Sequence, residues 1–496
     1  MPTSTHAATA RSLGSVVGQS SLSPRSIGWK IAIAIGLIFL ALLPPGIYSL
    51  DGNGMLAVAE SLVAHHSLSV PPELGLPGRD GLFYGRWYPL QSLLAVPSVA
   101  AGMLAAQALH LPAHYVAAIF SLVLPAAFTA VTAALVALIA LQLGATFQGG
   151  LLASLSYTFG TIAMTYARTF YAEPLLALLT VASIFLALGG SSGQILLAGL
   201  FSGLAVLAKP TGIVIGPLLT LFLLMRKRSL ATSLAPAVGS LAGLLVYFAY
   251  NQFRFGHATM FGQPWAFSLA GVPSGILGLL ISPGRGLLWY CPVLMLAIAG
   301  FARARKTNRT GAFLIVGILA GFLALYSLWS FWAAGWSWGP RLLLPALPGL
   351  AALLGLLEGR WRRAVITLAV AGFLINAPTL FAFYERYYAE AHESGVPEHD
   401  LEWSMSRAPF VYNWPAAVRQ VRDAQGADVH ELFMQRGTAP ATKVASSRAL
   451  RVVALWWWVL PAARIPRAAG ALLSCLLLLT GCLILLRTAA RLRRGP

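Results

Sequence analysis

DGNGMLAVAESLVAHHSLSVPPELGLPGRDGLFYGRWYP, residues 51–89, stands between long apolar runs and opens on Asp51, the first acidic residue of the chain. The run before it, from about Ile31 to Leu50, is long enough to cross a bilayer. A carboxylate at the mouth of a membrane helix is costly unless it is hydrated, paired or used, so Asp51 reads as functional. The competing reading is a helix-end residue in the headgroup layer. Met55, Leu56, Ala59, Leu62 and Val63 then space as a short amphipathic helix, and Pro and Gly turn the chain back. Residues 51–89 are therefore expected to be a loop outside the membrane between two spanning segments.

Composition agrees with a membrane chain. Of 496 residues, 58% are hydrophobic and 10% charged, against about a quarter charged in soluble domains. The net charge of +19 could suggest nucleic acid. Its basic residues, however, fall in short clusters between apolar runs, the pattern of cytoplasmic loops, and no nucleic-acid partner is expected. Cys291 sits near a membrane boundary and Cys475 and Cys482 lie in one apolar run, so neither a disulfide nor a cysteine metal site is expected.

The expected fold is an all-α polytopic membrane protein with about 12 to 14 transmembrane helices. Its units are a disordered cytoplasmic tail over 1–29, a transmembrane unit over 30–384, an outer-face region over 385–466, and a final span with a basic tail over 467–496. Clusters such as Arg226 to Arg228, Arg303 to Arg309 and Arg360 to Arg363 belong inside. That orientation puts the loop outside, in a plasma membrane. Thirteen apolar runs can be drawn, an odd number, whereas both termini inside require an even one. The surplus lies between residues 90 and 209, where one run is split, re-entrant or absent.

The polar residues that matter fall on the outer side of this topology. Asp51, Glu60, Asp80 and Arg86 lie in the first loop. Arg168 and Glu173 follow in YARTFYAEP, Lys209 in AKPTG, Arg254 and His257 in YNQFRFGH, Arg285 in SPGRGLLWY and Arg341 in WSFWAAGWSWGPR. Cations facing a few carboxylates across one membrane face suit an anionic lipid-linked substrate. Lys209, Arg285 and Arg341 are the candidate phosphate ligands, each beside Pro or Gly where the backbone opens. Lys209 reads equally as a snorkelling lysine, and the two arginines as headgroup anchors. Glu173 before Pro174 is either a helix N-terminal acid or a substrate-binding one. Trp338, with Trp329, Trp332 and Trp336, could stack on a sugar ring or line the interface. His65, His66, His392 and His399 lack metal-ligand spacing and read as loop residues.

Together, the loop aspartate, the Tyr84-containing return into Pro89, YARTFYAEP, LAKPTG, YNQFRFG, SPGRGLLWYCPVL and WSWGPRLLLPALP resemble, in that order, the GT-C class of polyprenyl-phosphate-sugar-dependent glycosyltransferases. The likeness is to protein mannosyltransferase and aminoarabinose transferase relatives, and it covers roughly residues 30 to 385. It implies a GT-C fold, a lipid-phosphate sugar donor, an outer-face active site and Asp51 as the catalytic carboxylate. Glu60, Tyr84, Arg86, Glu173, His257 and Trp338 are then candidates for binding substrate or acceptor. A carboxylate base and a phosphate leaving group imply single displacement with inversion. After Asp51 the chain reads GNG where many relatives carry a second acid, so a two-carboxylate mechanism is not supported. No cofactor is called for, and a divalent metal is left open. The alternative reading is a secondary transporter, or a flippase or scaffold for a lipid-linked sugar without chemistry.

Overall fold

A computed structural model of the chain describes residues 23–262, 266–425 and 452–494. Most of the expected 1–29 tail and the middle of the 385–466 region lie outside the described residues. The chain opens with α1 (Pro24–Ala41), capped by Ser23, and α2 (Leu50–His65), capped by Ser49. The only paired strands among the described residues are β1 (Gly75–Pro77) and β2 (Phe83–Gly85), antiparallel with Leu76 opposite Tyr84. There follow α3 (Pro89–Leu109), α4 (Ala113–Ser121), α5 (Val123–Gln142), α6 (Phe147–Gly160), α7 (Glu173–Gly189), α8 (Ser192–Ala208), α9 (Ile215–Met225) and α10 (Leu230–Phe255). The second half carries α11 (Val272–Ile281), α12 (Ala297–Thr307), α13 (Arg309–Ser327), α14 (Leu347–Leu354) and α15 (Arg360–Asn376). The described chain ends with α16 (Tyr384–Glu393), α17 (Glu398–Trp403), α18 (Pro409–Gln425) and α19 (Arg467–Arg494).

Among the described residues, seven helices are long and apolar enough to cross a membrane, and five further apolar helical segments run 10 to 17 residues. The short ones are broken where Pro or Gly interrupts the ladder, as at Lys209 and Pro210 between α8 and the 3₁₀ segment Pro210–Val214. Leucines of α10 and α19 stay exposed, among them Leu241, Leu245, Leu472 and Leu479, forming an apolar belt suited to lipid.

One end of the bundle carries the basic clusters and the other carries Asp51. These are called here the basic end and the site end. The 90–108 run, read from sequence as a span, is helical as α3 but keeps both ends at the site end. Ser92 Oγ donates to Met55 O of α2 at 2.8 Å. Farther along, Ala106 packs with Tyr115, Val459 and Ala462, and Tyr115 OH lies 3.0 Å from Tyr48 OH. Length and apolarity alone cannot distinguish a span from a helix lying along the interface; contacts at both ends can.

Residues 384–425 pack onto the site end. Arg386 pairs with Glu390 at 2.8 Å and Asp423 at 2.6 Å, and Trp414 Nε1 donates to Leu374 O of α15 at 3.0 Å. This agrees with a region too small to hold a core of its own.

Close helix contacts use small residues. Gly199 and Gly203 of α8 face Gly239 and Gly243 of α10, two four-residue glycine spacings meeting along one seam. A Cβ on Gly203 would lie 2.6 Å from Gly239 O, and one on Gly243 2.3 Å from Gly203 O. Gly203→Val or Gly243→Val is therefore expected to destabilise the bundle by about 1–3 kcal/mol, seen as a lower Tm in detergent. Gly193→Ala, with open space around it, should leave Tm unchanged.

Candidate functional site

The site begins with the turn into α2. Ser49 Oγ accepts from Gly52 N at 3.1 Å. Asn53 Nδ2 donates to Ser49 O at 3.0 Å and to Ile47 O at 3.3 Å. Asp51 is thereby held in the first helical turn, where the helix dipole favours a negative charge. A Cβ on Gly54 would fall 1.8 Å from the Trp87 ring, and one on Gly52 would fall 2.6 Å from Ile47. The GNG that replaces a second acid is thus committed to packing this turn against the loop's return.

Three other elements converge on Asp51. Glu173 is the first residue of α7, just before Pro174. Lys209 ends α8 in an extended conformation. Arg341 opens the 3₁₀ segment Arg341–Ala346, which follows Gly339 at φ +60°. A Cβ on Gly339 would lie 2.7 Å from the Tyr290 ring, so that turn requires glycine for both its space and its dihedral.

Lys209 Nζ donates to Glu173 Oε1 at 2.8 Å. Arg341 Nε lies 3.5 Å from the same oxygen, and Arg341 Nη1 donates to Asp51 Oδ2 at 3.2 Å. The result is a chain of alternating charge, Lys209, Glu173, Arg341, Asp51, formally neutral overall. The guanidinium lies over the Tyr171 ring at 4.2 Å, and Lys209 lies 5.4 Å from the centre of the Tyr326 ring. The Glu173, Arg341 and Lys209 side chains are 3%, 9% and 10% exposed, whereas Asp51 is 30% exposed. Asp51 is therefore the member of the chain that a solvent-borne molecule meets first. Arg341 Nε makes no hydrogen bond among the described residues, which leaves one buried donor of the cluster unused. Beside Lys209 is a small, mainly apolar cavity of about 30 Å³, walled by Tyr88, Phe267, Leu325, Tyr326 and Trp329.

The remaining sequence candidates lie apart from this chain. All three donor nitrogens of Arg285 bond to protein: to the carbonyls of Ala333, Gly284 and Gly335 at 2.7–2.9 Å and to Tyr388 OH. Arg168 likewise donates to the carbonyls of Leu42, Thr379, Leu380 and Ala454. Arg254 donates to those of Gly85 and Trp87. Of the ring of cations drawn from the sequence, these three instead tie loop backbone together. Trp338 is 1% exposed and its Nε1 donates to Asn376 Oδ1 at 2.6 Å, so it lies beneath the surface of the site. Tyr84 donates to Asp80 Oδ2 at 2.6 Å. Burial and this bond push the Tyr84 phenol up to about 12, and the bond holds the Asp80 carboxyl below its usual range. Arg86 is half-buried and His257 exposed just beyond α10. Glu60 turns away from Asp51 and pairs with His114 at 2.9 Å. Tyr171 and Tyr326, which support the two cations, were not singled out in the sequence. Tyr171 lies two residues before Glu173, and Tyr326 is a lone tyrosine in the apolar run of α13.

Removing Glu173 would leave two buried cations without their shared partner. Glu173→Ala is expected to cost about 3–5 kcal/mol, read as a large fall in Tm, with Glu173→Asp intermediate. An unchanged Tm in Glu173→Ala would show that the pairing carries no stability.

No protein-family model matches the chain, and no curated protein is significantly similar to it. Among solved structures, ArnT from Cupriavidus metallidurans in its apo state aligns with 94% of this chain and 77% of its own, at 14% identity and a TM-score of 0.49. The same protein bound to undecaprenyl phosphate aligns with 90% and 77%, at 15% identity and a TM-score of 0.48. The apo oligosaccharyltransferase of Archaeoglobus fulgidus aligns with 86% of this chain, which spans 56% of that enzyme, at 12% identity and a TM-score of 0.45.

Proposed function

We propose that this chain is a membrane glycosyltransferase that moves a sugar from a polyprenyl-phosphate donor to an acceptor hydroxyl at the site end. The positive-inside pattern supports placing that end on the non-cytoplasmic face, in a plasma membrane. The observation that carries the proposal is the buried charge chain Lys209–Glu173–Arg341–Asp51 beside an apolar cavity. A phosphate at headgroup level with a hydrocarbon tail presents the same pairing of charge and apolar surface.

The roles follow from position. Lys209 and Arg341 hold the donor phosphate, and the apolar walls of Tyr88, Phe267, Leu325 and Trp329 part to admit the start of the lipid tail. Asp51 is the exposed carboxylate and acts as base. The acceptor oxygen bonds to the anomeric carbon as its proton passes to Asp51, and the bond from that carbon to the phosphate oxygen breaks with its electron pair. The charge that accumulates on the departing phosphate is met by Lys209 and Arg341, in the manner of preorganised oxyanion donors. Arg341 pairs with Asp51, so a phosphate that draws the guanidinium away frees the base. Glu173 keeps both cations in place. Arg285 and Trp338 position the 333–341 loop behind them. The acceptor, a lipid, glycan or protein hydroxyl, approaches over the exposed flank of Asp51.

The test is turnover of radiolabelled polyprenyl-phosphate sugars by purified protein supplied with an extract of candidate acceptors. Wild type is expected to release polyprenyl phosphate, with the product inverted at its anomeric carbon. Asp51→Asn should lower the rate by about 10²–10⁴ while still binding undecaprenyl phosphate. Full turnover by Asp51→Asn would remove its role as base, and donor binding without consumption by either protein would favour a flippase or scaffold.

A further inference from the structure

We propose that this chain carries a second binding site, for a neutral sugar, in the cleft between α2, α3, α4 and the loop leading to β1. The inference goes beyond the transfer reaction and does not depend on it. The cleft has a volume of about 440 Å³, and the polar groups facing it are Glu60, Ser61, His65, Ser69 and His114.

Glu60 and His114 decide what the cleft can take. His114 Nδ1 lies 2.9 Å from both Glu60 oxygens. A carboxylate only accepts, so Nδ1 carries the proton, and Nε2 is the ring nitrogen left for a ligand. Glu60 is 17% exposed and His114 24%, so the pair reaches the cleft while remaining fixed. Each Glu60 oxygen keeps a further lone pair. Ser69 Oγ lies 2.8 Å from Ser67 Oγ, adding a hydroxyl that can both give and accept. The polar equipment is thus rich in acceptors on a rigid pair, with hydroxyls at the rim and Val70, Leu74 and Met103 as apolar surface.

Charge and shape exclude other ligand classes. No Lys or Arg lines the cleft among the described residues, and a carboxylate faces it, so an anion is repelled. No Phe, Tyr or Trp lines it either, so the aromatic cage that holds an organic ammonium is missing. A polyol fits what remains: its hydroxyls hydrogen-bond to Glu60 and His114, and its C–H face rests on the aliphatic side chains.

The cleft is separate from the charge chain around Asp51. Nine residues of helix turn Glu60 about 180° from Asp51 and carry it roughly 14 Å along α2. It also lies where lipid can reach it. α3 forms one wall and leaves Leu93, Leu94 and Leu104 exposed at the site end. A sugar carried on a lipid could therefore enter sideways, and a soluble glycan from the aqueous face.

The experiment is saturation-transfer NMR on the full chain in phosphatidylcholine nanodiscs. The soluble probes are methyl α-D-mannopyranoside, methyl β-D-glucopyranoside and methyl β-D-galactopyranoside, and octyl β-D-glucoside is the lipid-anchored one. Saturation of the ring protons of at least one probe is expected, and preference for the octyl glycoside over its methyl counterpart would identify a membrane-borne source. Ala64→Trp, which fills the cleft from an exposed lining position, and Glu60→Leu, which removes the paired acceptor, should each weaken binding about tenfold. Undecaprenyl phosphate binding, measured in the same discs, should survive Ala64→Trp and so separates this site from the donor site. No saturation of any glycoside by wild type, or equal saturation in wild type and both variants, would overturn the proposal. Binding of ethanolammonium or inorganic phosphate in place of every glycoside would also overturn it.

Discussion

Glu173 is the constraint on which the site end depends. One carboxylate, at the first residue of α7, receives Lys209 at 2.8 Å and stands 3.5 Å from Arg341. Two cations in a largely buried setting need such a partner, because an unpaired buried charge is among the most destabilising features a fold can carry. The pairing fixes where α8 must stop, since Lys209 reaches Glu173 only from a break in the helix. It also fixes where the glycine-rich 335–341 turn must deliver Arg341. Asp51 is joined to this network only through Arg341, at its more exposed end. The arrangement keeps the charges solvated by one another while leaving a single carboxylate within reach of an incoming molecule.

The other buried arginines solve a different problem. Arg168, Arg254 and Arg285 each collect backbone carbonyls from segments distant in sequence. Irregular backbone close to a membrane leaves carbonyls without water, and a guanidinium with five donors can satisfy several at once. Arg168 joins the ends of α1 and α15 to the segment before α19, and Arg285 joins α11 to the 333–335 turn and to α16. These clamps hold the loops that carry Trp338, Arg341 and the turn into α2. Loop positions near the charge chain are thus set by side-chain donors as much as by helix packing.

Much of this was legible from the sequence because charge is conspicuous in an apolar chain. Asp51, Glu173, Lys209 and Arg341 were each visible as an ionisable residue beside a helix break, and all four meet. What sequence could not separate was a cation that faces a carboxylate from one that faces carbonyls, since Arg285 and Arg341 have the same Gly and Pro surroundings. Only tertiary contacts divide them. The topology behaved likewise: the odd number of apolar runs was readable, but the contacts of α3 with α2, α4 and the 459–462 segment were not. His114 went unnoticed because its partner Glu60 is 54 positions away. The glycine pairs of α8 and α10 were plainly present as spacings and marked a seam that periodicity alone does not reveal.

The central claim is that Lys209 and Arg341 together form the seat of a lipid phosphate. A cryo-electron microscopy structure of the chain in nanodiscs with undecaprenyl phosphate tests it most directly. The account predicts phosphate density within about 2.7–3.2 Å of Lys209 Nζ and an Arg341 nitrogen, with the lipid tail entering between Tyr88, Phe267 and Trp329 and the Arg341–Asp51 contact opened. Phosphate bound at Arg285 or Arg254, with the Lys209–Glu173–Arg341 chain untouched, would contradict it.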